Sequence, residues 1–432
     1  MLVSDCLNTN ALGHLTIGGY DTIELAQEFG TPLYIMDEDK IRKNCKMFQS
    51  SFDKYYNGKG MPLYASKAFS CKEICRVIDD EKLGLDVVSG GELFTALSVG
   101  FPAERIHFHG NNKTADEITL ALQSNVGHII VDNLTELHMI DTIAEKMKKT
   151  ANIALRIKPG IDAHTHQFIR TGQIDSKFGF ALETGEAMQA VQTAVQYHHV
   201  NLKGLHCHIG SQIFDIQPFE LAAEVMLDFI YQIKERTKVI IQELNLGGGF
   251  GIKYVDSDTP VAYDQYMSLV SKIIQSKCKA LNLDVPFIFL EPGRSIVGEA
   301  GITLYTIGAV KKIPNIRTYV SVDGGMTDNP RYALYQAEYT ALIANKADLP
   351  ANEKVTIAGK CCESGDLIQE NTMIQQALPG DILAVLSTGA YNYSMASNYN
   401  RITKPAVVMV HNGKPRIIVR RETYEDLVRN DL

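Results

Sequence analysis

The sequence predicts a (β/α)8 barrel joined to a second, mainly antiparallel β domain, and three observations predict it. Between about residues 60 and 295, eight short runs rich in Val, Ile and Leu alternate with stretches of helical spacing or charge. Almost every run ends in a cluster of Gly, His, Asn, Asp, Lys or Arg, where a barrel gathers its active-site loops. After about residue 300 the texture becomes β-rich, with few helical patterns between the apolar runs.

In chain order, residues 1–32 contain LTIGG and pack with the second domain. The runs MPLYAS, LGLDVVS, RIHFHG, HIIVDN, IALRIKP, LKGLHCH, QELNLGG and FIFLEPG follow, and they place the barrel at residues 33–300. Parallel neighbours need a crossover, so strands alternating with helices imply a parallel sheet, and eight units are the number that closes a barrel. A doubly wound sheet is the competing architecture. Beyond residue 300, GITLYTIGAV, NIRTYVSVDGG, KVTIAGK, DILAVLSTGAY and AVVMVHNGKPRIIVRR read as strands. The HNGK tetrapeptide supplies an Asn-Gly hairpin turn between two alternating runs. The second domain therefore comprises residues 1–32 and 301–432.

Composition narrows the function classes. A chain of 432 residues with 45% hydrophobic and 21% charged residues is long enough for a large core and expected to be folded and soluble. A net charge of −8 without a Lys/Arg cluster argues against nucleic-acid binding, which needs phosphate-neutralising cations. The apolar runs fall short of the roughly 20 residues that span a bilayer, and the N-terminus has no secretory pattern. Eight cysteines without a C-x-x-C pair fit reduced thiols, so a cytoplasmic location is expected.

Four short motifs carry chemistry. In LYASKAF, Lys67 ends a strand among small residues; reaching solvent is the structural alternative to a reactive amine. In LNLGGGFGI, Gly247, Gly248 and Gly249 follow a strand directly, so their N–H groups can converge on an anion such as phosphate; a tight turn is the alternative. In LEPGRSIVGEAG, Glu291 emerges at the end of the eighth run beside Arg294 and needs a cationic or protonatable partner, or forms a structural ion pair. In GLHCHIGSQ, His206 and His208 have metal-ligand spacing, as do His164 and His166 in IDAHTHQF, so a metal-dependent barrel hydrolase competes. A histidine can also lie against a planar ligand while Ser211 donates to a phosphate. A strand-end lysine, a glycine-rich loop, a lone glutamate and a histidine together fit pyridoxal 5'-phosphate. Its aldehyde takes an amine, its phosphate an anion nest and its ring nitrogen an acid partner.

These motifs resemble the fold type III pyridoxal phosphate-dependent decarboxylases through nearly the whole chain: YASKA, GLDVVSGGEL, RIKPGIDAHTHQFIRTGQIDSKFGF, HCHIGSQ, NLGGGFGI, EPGRSIVGEAG, NPRYALY, CCESGD and GAYNYSMASNYN. Phe69 departs from the Asn more usual after YASKA and leaves the lysine assignment untouched. The resemblance implies that Lys67 bonds to the cofactor, His208 stacks on its ring and Glu291 pairs with its pyridinium nitrogen. Ser211, Gly247, Gly248, Gly249, Pro292, Gly293, Arg294 and Tyr391 would surround the cofactor, with Asp86 and Glu92 behind them. Arg294, Arg331, Tyr335, Glu363 and Tyr391 would take an amino-acid substrate, and Cys362 would donate a proton, with Cys361 the alternative donor. A homodimer with shared sites is also implied.

The substrate expected from this set is meso-2,6-diaminopimelate, decarboxylated to L-lysine. Its distal end carries an ammonium and a carboxylate, and a site with arginines and a glutamate has a partner for each. Ornithine or arginine decarboxylation is the nearest alternative, and a non-catalytic cofactor carrier is one from another class.

Overall fold

Eight parallel strands close on themselves in the computed structural model, which describes residues 2–161 and 175–432. They are Gly60–Ala65, Gly84–Val87, Ile106–Phe108, His128–Val131, Ala151–Lys158, Val200–His206, Glu243–Asn245 and Phe287–Leu290. Each pairs with the next, and the last pairs with the first through Ile288 opposite Gly60, which closes the ring. Every one of the eight apolar runs overlaps one of these strands, three of which begin one or two residues before the run. Their side chains are mostly buried, as expected where helices cover one face of a parallel sheet and the barrel interior fills the other. Intervening helices start where the sequence supplies caps. Ser89 accepts from the Glu92 N–H, Thr114 and Glu117 form a reciprocal capping box, and Asn133 accepts from the Glu136 N–H.

The second sheet runs in the order Leu367–Ile374, Glu353–Ala358, Arg317–Val322, Gly301–Ile313, Leu33–Asp37, Ala406–His411 and Lys414–Val419. Its pairings are antiparallel except Arg317–Val322 with Glu353–Ala358 and Leu33–Asp37 with Ala406–His411. At the HNGK turn, Asn412 and Gly413 both have positive φ, 51° and 67°, which is what a two-residue primed turn requires. Two apolar clusters fill this unit, one built on Leu15, Ile35 and Val408, the other on Tyr254, Tyr305 and Ile357.

The chain divides into two compact units: Met1–Lys43 with Ile252–Thr259 and Arg294–Leu432, and Asn44–Gly251 with Pro260–Gly293. Three segments depart from the division expected at residues 32/33 and 300/301: residues 33–43, 252–259 and 294–300 all belong to the sheet unit. Leu33–Asp37 joins the second sheet, antiparallel to Gly301–Leu304 and parallel to Ala406–Val410, because an apolar run before a helix gives the same local signal whichever sheet accepts it. Residues 252–259, expected in the barrel, belong to the sheet unit, whose core holds Tyr254. Among the described residues no helix is long and apolar enough to cross a membrane.

Candidate active site

Lys67 lies in the single 3-10 turn Ser66–Ala68 that follows the first barrel strand. Its neighbours explain its small-residue setting: Ser66 and Ala68 are buried while Lys67 is exposed. The turn is pinned from both sides. The Ser66 hydroxyl donates to Glu92 Oε2 at 2.7 Å, and the Ala65 N–H donates to the Pro292 carbonyl at 3.1 Å. Glu92 also accepts from the Val88 N–H at 2.8 Å, and burial raises its carboxyl above the ordinary range. A Cβ on Gly293 would stand 2.9 Å from the Ala65 Cβ, so only glycine lets this loop approach the lysine turn.

Glu291 follows the eighth strand and is buried, 7% exposed. Burial alone would raise its carboxyl, but His109 Nε2 lies 3.0 Å from Oε1 and His206 Nε2 lies 3.3 Å from Oε2, and these imidazoles hold it well below the usual range. The Asn245 amide donates to Oε1 at 2.7 Å. Asp86, 3.8 Å from His109, goes the other way: burial raises it to about 6 against the pull of His109, with the Glu291 charge adding to the rise. Among the described residues His109, His206 and Glu291 have ligating atoms within 4.8 Å of one another, so this grouping, rather than His206 with His208, has metal-ligand chemistry. His164 and His166 lie outside the described residues.

The glycine loop is shaped by backbone packing. Added Cβ atoms would lie 2.6 Å from the Cys207 carbonyl oxygen at Gly247, 2.1 Å from the Glu291 carbonyl at Gly248 and 2.6 Å from the Gly210 carbonyl at Gly249. Gly247 and Gly249 also have positive φ. The Gly248 N–H donates to His208 Nδ1 at 3.3 Å, and burial pushes His208 well below its ordinary value, so this ring is a neutral imidazole with Nδ1 as acceptor. The Ser211 loop runs alongside, the Ile213 N–H donating to the Gly249 carbonyl at 2.9 Å.

The remaining expected residues belong to the sheet unit. Arg294 is buried, and its Nη1 donates to the Tyr254 hydroxyl. Arg331 Nη1 donates to the same oxygen at 3.2 Å and to Tyr339 at 2.7 Å. Tyr391 faces both guanidiniums, 4.8 Å from Arg294 and 5.9 Å from Arg331. Tyr335 is half-buried at the end of the short helix Arg331–Tyr335. Cys362 is exposed, its N–H donating to Asn400 Oδ1 at 2.7 Å, and Glu363 is exposed with Oε1 accepting from Gly365. Burial and the Asp366 carboxylate push the Cys361 thiol up to about 12.

Sequence reasoning missed His109, Asn245, Tyr254 and Tyr339. The strand-end clusters HFHG and LNLGG held a signal for the first two; the tyrosines carry no local motif.

The barrel residues fit a planar pyridine aldehyde with a phosphate. An amine stands at a strand end, an ionised carboxylate is held by proton donors, and a glycine loop packs where side chains cannot fit, its Gly247 and Gly248 N–H groups donating to Asn245 Oδ1 and His208 Nδ1. Comparison with known proteins agrees. Residues 38–298 match the pyridoxal binding domain of the pyridoxal-dependent decarboxylases. The chain is 51% identical over 413 residues to diaminopimelate decarboxylase of Bacillus methanolicus, covering 96% of this chain and 95% of that one. It is 48% identical over 423 residues to the Bacillus subtilis (strain 168) protein of the same name, covering 98% and 96%. A crystal structure of diaminopimelate decarboxylase from M. jannaschii in complex with L-lysine superposes with a TM-score of 0.92 at 37% identity, covering 100% of this chain and 99% of that one.

Proposed function

The chain belongs to the pyridoxal-dependent decarboxylases, and on that premise we propose that it converts meso-2,6-diaminopimelate to L-lysine and CO₂, the last step of lysine biosynthesis. The observation that carries the reaction type is Glu291, a buried carboxylate kept ionised by His109 and His206.

Bound pyridoxal 5'-phosphate supplies the electron sink for the pair left behind when CO₂ departs. The chain's own residues do the rest. Lys67 would hold the cofactor at its aldehyde through the side-chain amine. Glu291 would hold a proton at the ring nitrogen, and neutral His208, fixed by the Gly248 N–H, would take the ring face. Gly247, Gly248, Gly249 and Ser211 would hold the phosphate, and Arg294 and Tyr391 of the sheet unit are assigned to cofactor and substrate binding. Pro292 and Gly293 hold the Lys67 turn, and Asp86 and Glu92 support it from behind. Arg331 takes the distal carboxylate, while Glu363 and Tyr335 take the distal ammonium. Cys362, which is exposed, delivers the proton, while burial and the Asp366 carboxylate push the Cys361 thiol up to about 12.

The barrel is assigned as the cofactor domain, with the sheet unit contributing substrate and catalytic residues across a homodimer interface, each site drawing Cys362 and Glu363 from the partner. Eight free cysteines support a reducing cytoplasm. The test is incubation of the purified, cofactor-loaded protein with meso-diaminopimelate, ornithine or arginine, following CO₂ and amine product. Lysine formed from diaminopimelate alone is expected. Turnover of ornithine or arginine without turnover of diaminopimelate would overturn the reading.

A further inference from the structure

Arg294 and Arg331 place two positive charges close together in the sheet unit, and such a pair needs something to hold it. Both guanidiniums lie over one ring, Arg294 at 5.6 Å and Arg331 at 5.5 Å from the centre of Tyr254. Both also donate to its oxygen. A phenol oxygen has two lone pairs, and here each faces a cation. The residue itself is fixed: its ring meets Tyr339 edge-on at 5.2 Å, its backbone N–H donates to Asp258 Oδ2 at 2.9 Å, and the Thr340 hydroxyl donates to its backbone carbonyl at 2.8 Å. Arg331 is tied a second time through Tyr339, whose oxygen also receives the Asn392 amide at 3.4 Å.

We propose that Tyr254 is a positioning and specificity residue: its phenol oxygen sets the spacing of Arg294 and Arg331, and so the preference for a ligand with a distal carboxylate over a diamine without one. This rests on the assignment of Arg331 to that carboxylate. A guanidinium with its fork held in place meets a carboxylate without reorganising, whereas a free pair of cations spreads apart and presents no fixed geometry. Burial alone would raise the Tyr254 phenol, but the two guanidiniums that face its oxygen bring it below its ordinary value.

The test is Tyr254→Phe, which keeps the ring and removes the oxygen, in the cofactor-loaded enzyme. Cofactor absorbance and melting temperature check that the variant is folded and loaded. KM for diaminopimelate should rise by about tenfold while kcat stays within about twofold, the pattern of a lost binding contact. Calorimetric binding should separate two ligands: lysine, which keeps the distal carboxylate when its ε-amine faces the cofactor, and 1,5-diaminopentane, which is lysine without that group. Lysine should weaken by a similar factor and 1,5-diaminopentane should not change. Equal weakening of both, or of neither, would overturn the proposal, since a merely structural role does not distinguish them. If Tyr254→Phe does not fold, Tyr254→Leu, which also removes the oxygen, carries the same comparison with the same expected outcome. Failure of the parent enzyme to turn over diaminopimelate would sink the functional reading; the two-ligand binding comparison would then decide Tyr254 separately.

Discussion

Glu291 in the barrel and Asp328 in the sheet unit are both buried, 7% and 1% exposed, and their carboxyls shift in opposite directions. Burial raises each of them. Glu291 nevertheless stays well below the ordinary range because two imidazoles face it, whereas Asp328 is raised to about 7. The partners of Asp328 are the Gly325 N–H at 3.0 and 3.2 Å and the Tyr305 hydroxyl at 2.9 Å, with the Asp366 and Asp323 charges nearby. Neutral donors ease burial without supplying an opposite charge, and like charges oppose ionisation. Burial sets the penalty, and the nearest protonatable groups decide the sign. The ionised carboxylate stands among the groups assigned to the cofactor, while the other shapes the loop that leads to Arg331.

The largest expected effect tests the proposed sharing of sites between two copies of the chain. Lys67→Ala and Cys362→Ala should each be nearly inactive as homodimers. Mixed and allowed to exchange, they pair statistically, so about half of the molecules are heterodimers with one intact site of two, and activity should recover to roughly a quarter of the parent value. CO₂ release after exchange is the measurement, with heterodimers verified by mass spectrometry. Verified heterodimers without recovered activity would remove the shared site.

Next is Glu291→Gln, which keeps size and polarity and removes the charge that distinguishes the barrel carboxylate. Cofactor should remain bound while kcat falls on the order of 10²–10³-fold, the range for losing a preorganised electrostatic partner. Steady-state kinetics with a cofactor absorbance check decide it; near-normal kcat would reduce Glu291 to a packing residue. Arg331→Ala should cost less, about tenfold to a hundredfold in kcat/KM for diaminopimelate, since a charge-assisted contact contributes about 1.5–3 kcal/mol. Unchanged kcat/KM would count against the distal-carboxylate assignment.

What was legible in the sequence follows the same divide between local and long-range information. The eight barrel strands and the Asn412–Gly413 turn show because apolar runs and turn chemistry are local signals. Leu33–Asp37 does not reveal its sheet, because pairing partners nearly 270 and 370 residues away leave no mark on the run itself. The chemistry-bearing side chains at strand ends were visible one by one. That His109, His206 and Asn245 converge on Glu291 depends on ring closure and register, so Glu291 could be assigned a protonatable partner but not the identity of that partner. Tyr254 sits just beyond a glycine loop that draws attention to itself, and its role depends on two arginines from later in the chain.

The smallest expected effect is on stability, and it isolates the second carboxylate of the comparison. Asp328 has a folded-state value of about 7 against 3.8 for the ordinary side chain. Between those values the native chain holds a proton that the unfolded chain has released, so stability falls as pH rises through that window; it is fully present below 3.8 and lost above about 7. The size is on the order of 1–4 kcal/mol. Asp328→Asn stays neutral throughout and keeps one oxygen for the Gly325 N–H or the Tyr305 hydroxyl, so its melting temperature should depend less on pH between about 4 and 7. Asp86, raised to about 6 in the barrel, adds a slope of the same sign to parent and variant alike, and the difference between the two curves removes it. Activity at pH 7 should stay within about twofold of the parent, in contrast with Glu291→Gln, because Asp328 acts on its loop and not on the reacting groups. Parallel melting curves for parent and variant would mean that Asp328 is ionised in the folded chain, and the two carboxylates would then differ in location alone.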